Sequence, residues 1–475
     1  MKPAEPRRET AGAALATEFP RYLPAIGGCF GPHSDTLVGR GEELSQLLAT
    51  IASGDRLVLL AGEAGVGKTR LAHEVARILH DRGSITFRGA CDETRALVPY
   101  SPFLGQLRAL LDVARLPAGV DHARHRTYLH HLLSRSEAPL PNVVDPREGR
   151  EGLFAAVTAL LSAGAGSKPV VMLLDDLQWA DGASLDLLRH LLSQHDQRLV
   201  ILGTCREGEP GGRHPQWANV AEPWTVKKIA PLTREGTAAF IAAAVGQENV
   251  SAEFANLLHR TTGGNPLEIQ EALLAALEAG SVFRESGRWM RRKIGEMVVP
   301  RSVRAAICKR VSRLTPEVQE VLREASVLGQ SLDCEHLREA SGREVGEIEA
   351  ALRKASETGL IRMSGRVVAF RHVVIRETLY GTLSTRRRTR LHAATGEALA
   401  GSAAPAGQVA WHYVRADDPE QALSWYLAAG DRAEAVFAHC DAVCHYRTAV
   451  RLAQEVGDRG RESEARARLR GHVAP

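Results

Sequence analysis

The sequence predicts a multidomain α/β protein continued by α-helical segments. A parallel sheet with helices on both faces comes first, then a helical stretch, a winged helix and a C-terminal helical region. Three observations lead there. Gly62-Glu-Ala-Gly-Val-Gly-Lys-Thr69 matches G-x-x-x-x-G-K-[ST] at every fixed position. Short apolar runs alternate with helical periodicity as far as Pro231. Beyond Pro231 the pattern turns almost wholly helical.

Length and composition set the frame. At roughly 100–200 residues per domain, 475 residues make two to four domains. Hydrophobic residues at 44% and charged residues at 24% suit several soluble cores. A net charge of +4 is too small for a protein that coats nucleic acid. Seven scattered Cys argue for a reducing compartment rather than a disulfide framework. The longest apolar stretch, Leu153 to Ala165, falls short of a membrane span and Met1 to Glu18 lacks the solid apolar run of a signal peptide, so a cytoplasmic protein is expected.

The elements follow in order. Residues 1–34, rich in Pro and Gly, read as a loose leader. Arg56 to Ala61 reads as a buried strand, and Thr69 to Leu79 as an amphipathic helix with Leu71, Ala72, Val75, Ala76 and Leu79 on one face. Further strands are expected at Ser84 to Gly89, Val170 to Leu174, Leu199 to Gly203 and, more weakly, Thr225 to Ile229. Arg234 to Val245, Ala252 to Arg260 and Leu267 to Ala279 read as helices, and Ser281 to Arg291 as a hairpin turning at Ser286-Gly287. Helices near 301–313, 315–328, 332–340 and 344–357 precede two short strands around Ser364-Gly365, the layout of a winged helix. From Arg387 the chain is helical. Ala422 to Gly430 and Ala438 to Val450 suggest one tetratricopeptide-type helix pair.

The glycine-rich string carries chemistry. Gly62, Gly65 and Gly67 let backbone N–H groups, Val66 among them, turn inward around phosphate oxygens. The helix that begins there, with Arg70 in its first turn, aims its positive end at the same place. Lys68 is expected to reach the β- and γ-phosphates and Thr69 to ligate Mg²⁺. Val170 to Leu174 ends in Asp175-Asp176. At the carboxyl end of a parallel strand, Asp175 is expected to hold Mg²⁺ through water and Asp176 to act as general base. The next strand ends in Thr204 and Arg206, beside the γ-phosphate.

In order along the chain stand Leu37-Val-Gly-Arg-Gly-Glu-Glu-Leu44, the phosphate loop, Leu173-Leu-Asp-Asp-Leu-Gln-Trp-Ala-Asp181 and Gly264-Asn-Pro-Leu267. Together they resemble the nucleotide-binding core of STAND ATPases, signal-transduction ATPases with numerous domains, and among them the large ATP-binding LuxR-type regulators of actinobacteria. The resemblance runs from Thr36 to the C-terminus. It implies a P-loop ATPase core at 35–232, a helical lid at 233–298, a winged helix at 299–385 and a tetratricopeptide-like region at 386–475.

By the same resemblance, Val38, Gly39 and Arg40 lie over the adenine, Trp179 and Asp181 shape the loop after the acidic strand, and Pro266 touches base or ribose. Arg206 senses the γ-phosphate, and His372 meets the β-phosphate of ADP, although Val373 stands where related switches often carry Asp. The implied activity is an ATP/ADP switch with slow Mg²⁺-dependent hydrolysis in a transcription regulator. A protein partner or inducer would act through the C-terminal helices, with nucleotide-dependent self-association. Such regulators end in a DNA-reading helix-turn-helix. None is visible before Pro475, so a truncated or regulatory form is expected, with DNA contact secondary. The competing classes are an origin-recognition-type ATPase acting on DNA and a nucleotide-stabilised scaffold. Two other features carry little weight: Cys440 and Cys444 are spaced to chelate but lack a partner pair, and Arg386 to Arg390 fits a solvated helix face.

Overall fold

The computed structural model describes residues 37–113, 120–134, 145–194, 198–207, 225–246, 250–285, 288–292, 302–402 and 404–472. The expected leader and the tip of the 281–291 hairpin lie outside these residues.

The first unit runs α1 (Gly41–Ala52), β1 (Leu57–Gly62), α2 (Lys68–Asp81), β2 (Ile85–Ala90), α3 (Ser101–Val113), α4 (Val120–Leu133), α5 (Pro146–Ala165), β3 (Val170–Asp175), α6 (Gly182–Ser193), β4 (Leu199–Arg206) and β5 (Thr225–Lys228). All six residues of β1 are buried, as its unbroken apolar run requires of a strand covered on both faces. The sheet is parallel throughout, in the order β2-β3-β4-β1-β5. This order places β4 between β1 and β3. The register pairs Gly62 with Arg206 and Leu174 with Gly203, so the three strands end at the same edge of the sheet, β3 two residues before β1 and β4. α1 and α2 cover one face, through a core that includes Leu47, Leu71 and Val75, while α3, α5 and α6 cover the other.

Three helices follow, α7 (Arg234–Val245), α8 (Ala252–Thr262) and α9 (Pro266–Glu278), with the strand pair β6 (Val282–Glu285) and β7 (Arg288–Arg291). Thr233 caps α7 through Gly236 N, and Asn265 caps α9 through Leu267 N, with Pro266 at the first helical position.

Next come α10 (Val303–Val311), α11 (Pro316–Leu328), β8 (Ser331–Asp333), α12 (Cys334–Ser341), α13 (Val345–Glu357), β9 (Ile361–Ser364), β10 (Val367–Phe370) and α14 (Val373–Gly381). The small sheet has three strands, in the order β8-β10-β9, where the sequence pattern shows only two. β8 is three residues long, too short for a period-2 signal. The module has its own core around Ile307, Leu322, Leu352 and Val368.

The C-terminal region is larger than a single helix pair. It comprises α15 (Thr385–Gly401), α16 (Ala406–Arg415), α17 (Pro419–Ala435), α18 (His439–Val456) and α19 (Arg459–His472). Its apolar face is not left open. Val409, Leu423, Val436 and Phe437 belong to the same buried cluster as Leu129, Phe154 and Leu188 of the first unit. Phe437 lies edge-on to Tyr128 at 6.0 Å, and burial of a ring this size contributes about 1.5–3 kcal/mol. Gly149 makes room for it, since a Cβ there would lie 2.2 Å from the ring. Among the described residues no helix is long and apolar enough to cross a membrane.

Polar contacts fix the same junction. Asp441 of α18 accepts from Gly182 N at 2.9 Å and Ala183 N at 2.8 Å, at the start of α6. Asp181 accepts from Tyr100 N at 2.9 Å and Ser184 N at 2.8 Å. Burial pushes Asp441 up to about 6, against the pull of those N–H groups. Burial and then the Asp441 charge push Asp181 up to about 7. Both carboxyls therefore keep a proton to higher pH when folded than at their ordinary 3.8. Protons favour the docked state, and its stability falls as pH rises from about 4 towards 7. Melting temperatures across this range should show that slope, and Asp441→Asn should flatten it. A variant with the wild-type slope would remove these carboxyls as the cause.

Candidate nucleotide-phosphate site

The open strand ends meet a cavity of about 590 Å³, within the range of small-molecule sites. Its walls come from the first unit, from α7 and α9, and from the α10–α14 module.

The phosphate loop leaves β1 and turns into α2. Gly65 and Gly67 have φ of +81° and +101°, conformations open to glycine but strained for other residues. Gly65 has a second constraint, because a Cβ there would meet Leu267 Cβ at 2.7 Å. α9 sits directly on the loop: Asn265 Nδ2 donates to Ala64 O at 2.9 Å and Leu267 N to Gly65 O at 3.3 Å. Lys68 is buried and folds back on its own loop, donating to Gly62 O at 2.9 Å and Glu63 O at 2.8 Å. Burial lowers its pKa, opposed by Asp176 and Asp175. Gly65, Val66, Gly67, Lys68, Thr69 and Arg70 all line the cavity, whereas Gly62 does not.

Asp175 and Asp176 end β3. Thr69 Oγ1 donates to Asp175 Oδ1 at 2.8 Å, and Thr204 Oγ1 donates to the same oxygen. Burial and the Asp176 charge push Asp175 up to about 6, against these hydroxyls and Arg88. Hydroxyl and carboxylate oxygens at one point fit a hard divalent cation such as Mg²⁺. Thr69 and Asp175 are the residues that would hold it. Asp176 has a left-handed backbone, φ 54° and ψ 45°. Its N–H donates to Thr204 Oγ1 at 2.9 Å, and its Oδ1 accepts from the buried amide of Gln178 at 2.9 Å.

The other expected site residues are distributed as follows. Val38 lines the cavity. Gly39 does not; its backbone packs on Gly236, with φ +71°. Arg40 is buried, pairs with Glu43 at 2.7 Å and donates to Val66 O at 3.0 Å, so it braces the loop from behind while lining the cavity. Trp179 and Pro266 line the cavity, and Asp181 serves instead as the cap of α6 described above. Arg206 lines it and pairs with Glu377 of α14 at 3.1 Å. His372 lines it from the opposite wall, and burial, then Arg371, Arg362 and Arg310, lower it to about 4.

Several lining residues carry no role in the sequence reading. Gln270 is one, an amide one helical turn beyond Pro266 on α9. Glu93 pairs with Arg415 of α16 at 2.7 Å and Arg376 of α14 at 3.6 Å. Arg362, Arg371, Arg376 and Glu377 are further cases. The charged string 371–377 around His372 is the available signal for three of these, Arg371, Arg376 and Glu377. Among the described residues no group of three or more His, Cys, Asp or Glu that could hold a metal ion occurs, at Cys440 and Cys444 or elsewhere. In the basic run, Arg387 pairs with Glu320, and Arg388 lies 4.7 Å from the Tyr380 ring centre.

Fold and loop define a P-loop nucleotide-binding domain. Residues 36–202 match the AAA ATPase domain, so the chain contains an AAA-type ATPase domain, a class that binds nucleotide with Mg²⁺. An uncharacterized protein of Rhizobium meliloti (strain 1021) is 28% identical in an alignment 442 residues long that covers 84% of this chain and 41% of that protein. The chain thus spans less than half the length of this relative. Among solved structures, a STAND protein with a tetratricopeptide repeat sensor from Pyrococcus horikoshii aligns over 92% of this chain and 65% of its own, at 14% identity and a TM-score of 0.44. The Aeropyrum pernix ORC1 protein, solved in complex with DNA, aligns over 78% and 96% at 16% identity and a TM-score of 0.36.

Proposed function

We propose that this chain is a nucleotide-dependent signalling switch of the STAND type. It binds ATP or ADP with Mg²⁺, hydrolyses ATP slowly, and sets the arrangement of core, lid and winged helix by the phosphate chain it holds. Residues 233–298 are the lid, 299–385 the winged helix and 386–475 the tetratricopeptide-like region through which an inducer or protein partner acts. A transcription-regulating output of the LuxR type belongs to the same proposal, with DNA contact secondary and a nucleotide-dependent homo-oligomer as the active form.

The observation that carries this reading is the Arg206–Glu377 pair. It joins the end of β4 to α14 across the cavity at 3.1 Å. A γ-phosphate at the loop would compete with Glu377 for the same guanidinium, so ATP, but not ADP, would weaken the hold on α14. Lys68, Thr69 and Asp175 bind the phosphates and the cation. Asp176 is the candidate base for the attacking water. The cation, when bound, neutralises charge on the phosphate chain.

Size-exclusion chromatography with light scattering, in ADP and in a non-hydrolysable ATP analogue, tests the switch. Expansion or assembly with the analogue alone is expected, and identical profiles would refute it. Glu377→Gln should raise the ATP-over-ADP preference about fivefold, the size of a half-exposed ion pair worth ~1 kcal/mol. An unchanged preference would show that this pair is not the latch.

A further inference from the structure

Residues outside the phosphate loop hold it from behind. Three successive loop carbonyls each accept from a donor that lies elsewhere in the chain. Asn265 Nδ2 reaches Ala64 O at 2.9 Å, Leu267 N reaches Gly65 O at 3.3 Å, and Arg40 Nη2 reaches Val66 O at 3.0 Å. Asn265 and Arg40 are buried, at 6% and 4% exposure, so water is poorly placed to take over these bonds.

In a planar trans peptide the C=O and the N–H that follows it point opposite ways. Carbonyls 64, 65 and 66 held on the side of α9 and Arg40 therefore turn the N–H groups of Gly65, Val66 and Gly67 to the other side. There Val66 N makes only a long contact, 3.4 Å, with Glu63 O, the carbonyl that Lys68 Nζ also holds. All three residues line the cavity. Successive N–H groups turned to one side make a cradle for an anion. Glycine permits such a turn but does not choose it, because its backbone is the least restricted of any residue. The outside donors supply the choice.

Both side chains are set for this task. Asn265 Oδ1 accepts from Leu267 N at 3.1 Å, which leaves the amide nitrogen to face Ala64 O. Arg40 divides its fork, with Nη1 on Glu43 Oε1 at 2.7 Å and Nη2 on Val66 O. Gly65 admits the close approach, since a Cβ there would lie 3.0 Å from Asn265 Oδ1.

We propose that Asn265 and Arg40 are positioning residues that pre-set the loop amides for a phosphate chain, Asn265 from the start of α9 and Arg40 from the start of α1. This rests on the nucleotide reading above and adds what gives the loop its shape. Neither side chain has to touch the ligand. The loop is ordered before the phosphate arrives, so less freedom is lost on binding.

Isothermal titration of pyrophosphate, ADP and adenosine into the full chain tests the assignment. Ser at 265 still caps α9 but is too short to reach Ala64 O. Asn265→Ser should weaken pyrophosphate and ADP about three- to tenfold, the scale of one hydrogen bond. Adenosine affinity should change less than about twofold, since adenosine has no phosphate to meet the amides. Arg40→Lys keeps the charge but offers one nitrogen to two partners, and should weaken pyrophosphate by a similar factor. Equal losses for pyrophosphate and adenosine in Asn265→Ser would mark a general packing role and overturn the proposal. Pyrophosphate affinity unchanged from the wild type would overturn it for the residue concerned. If the wild type holds pyrophosphate but neither ADP nor ATP, and Asn265→Ser weakens that binding, the positioning role stands and the nucleotide reading falls. A wild type that binds ADP no better than adenosine, and pyrophosphate not at all, would show amides that grip no phosphate and end the positioning role alone.

Discussion

Asp176→Asn leaves ATP bound and slows single-turnover hydrolysis by about 10²- to 10⁴-fold, the usual contribution of a positioned general base. The expectation follows from how the side chain is held. Gln178 donates to Oδ1, and Thr204 takes the backbone N–H, so the carboxylate is oriented from two sides. Asn has the same shape and keeps an oxygen for the Gln178 amide. Its other terminal atom donates where a base must accept. The phosphate ligands do not include this group, so affinity is retained. Asp175→Asn is the contrasting control: it weakens the oxygen set shared with Thr69, so Mg²⁺-dependent affinity falls along with the rate. Hydrolysis within twofold of wild type in Asp176→Asn would remove this residue from the base role.

Lys68→Ala lowers ATP and ADP affinity by about 10²- to 10³-fold, consistent with the ~3–5 kcal/mol lost when one partner leaves a buried charge pair. In the structure the ammonium satisfies two loop carbonyls, Gly62 O and Glu63 O. Bound phosphates offer it full negative charge instead, in a site where burial has already weakened its hydration. The loop glycines and the start of α2 remain in the variant, so weak phosphate binding persists. Isothermal titration with both nucleotides reads the change, and equal affinities in wild type and variant would end the phosphate-loop argument.

The phosphate loop and the acidic strand are legible from residue order because each is local. A strand, a glycine turn and a helix start follow one another within 57–81, and the glycines at 65 and 67 adopt the positive φ that their type permits. Strand limits moved by only a residue or so at β2, β3 and β5, whereas β4 runs on to Arg206. The roles of Thr204 and Gln178 depend on which strands are neighbours, and β4 lies between β1 and β3 only in the folded sheet. The site of Arg40 shows the same limit. The family resemblance implies a place over the adenine, and the fold adds that its guanidinium pairs with Glu43 and donates to Val66 O.

Local order alone therefore determined the chemistry on offer: a phosphate-binding turn, a hydroxyl and a carboxylate suited to a divalent cation with a second carboxylate beside them, and helical units beyond. Tertiary structure decided who shares the cavity. Partners such as Arg206 and Glu377 are 171 positions apart, and Gly182 and Asp441 are 259 apart. No periodicity connects residues so distant, because their meeting is set by which apolar faces bury against each other, and that competition is resolved only when the whole chain packs.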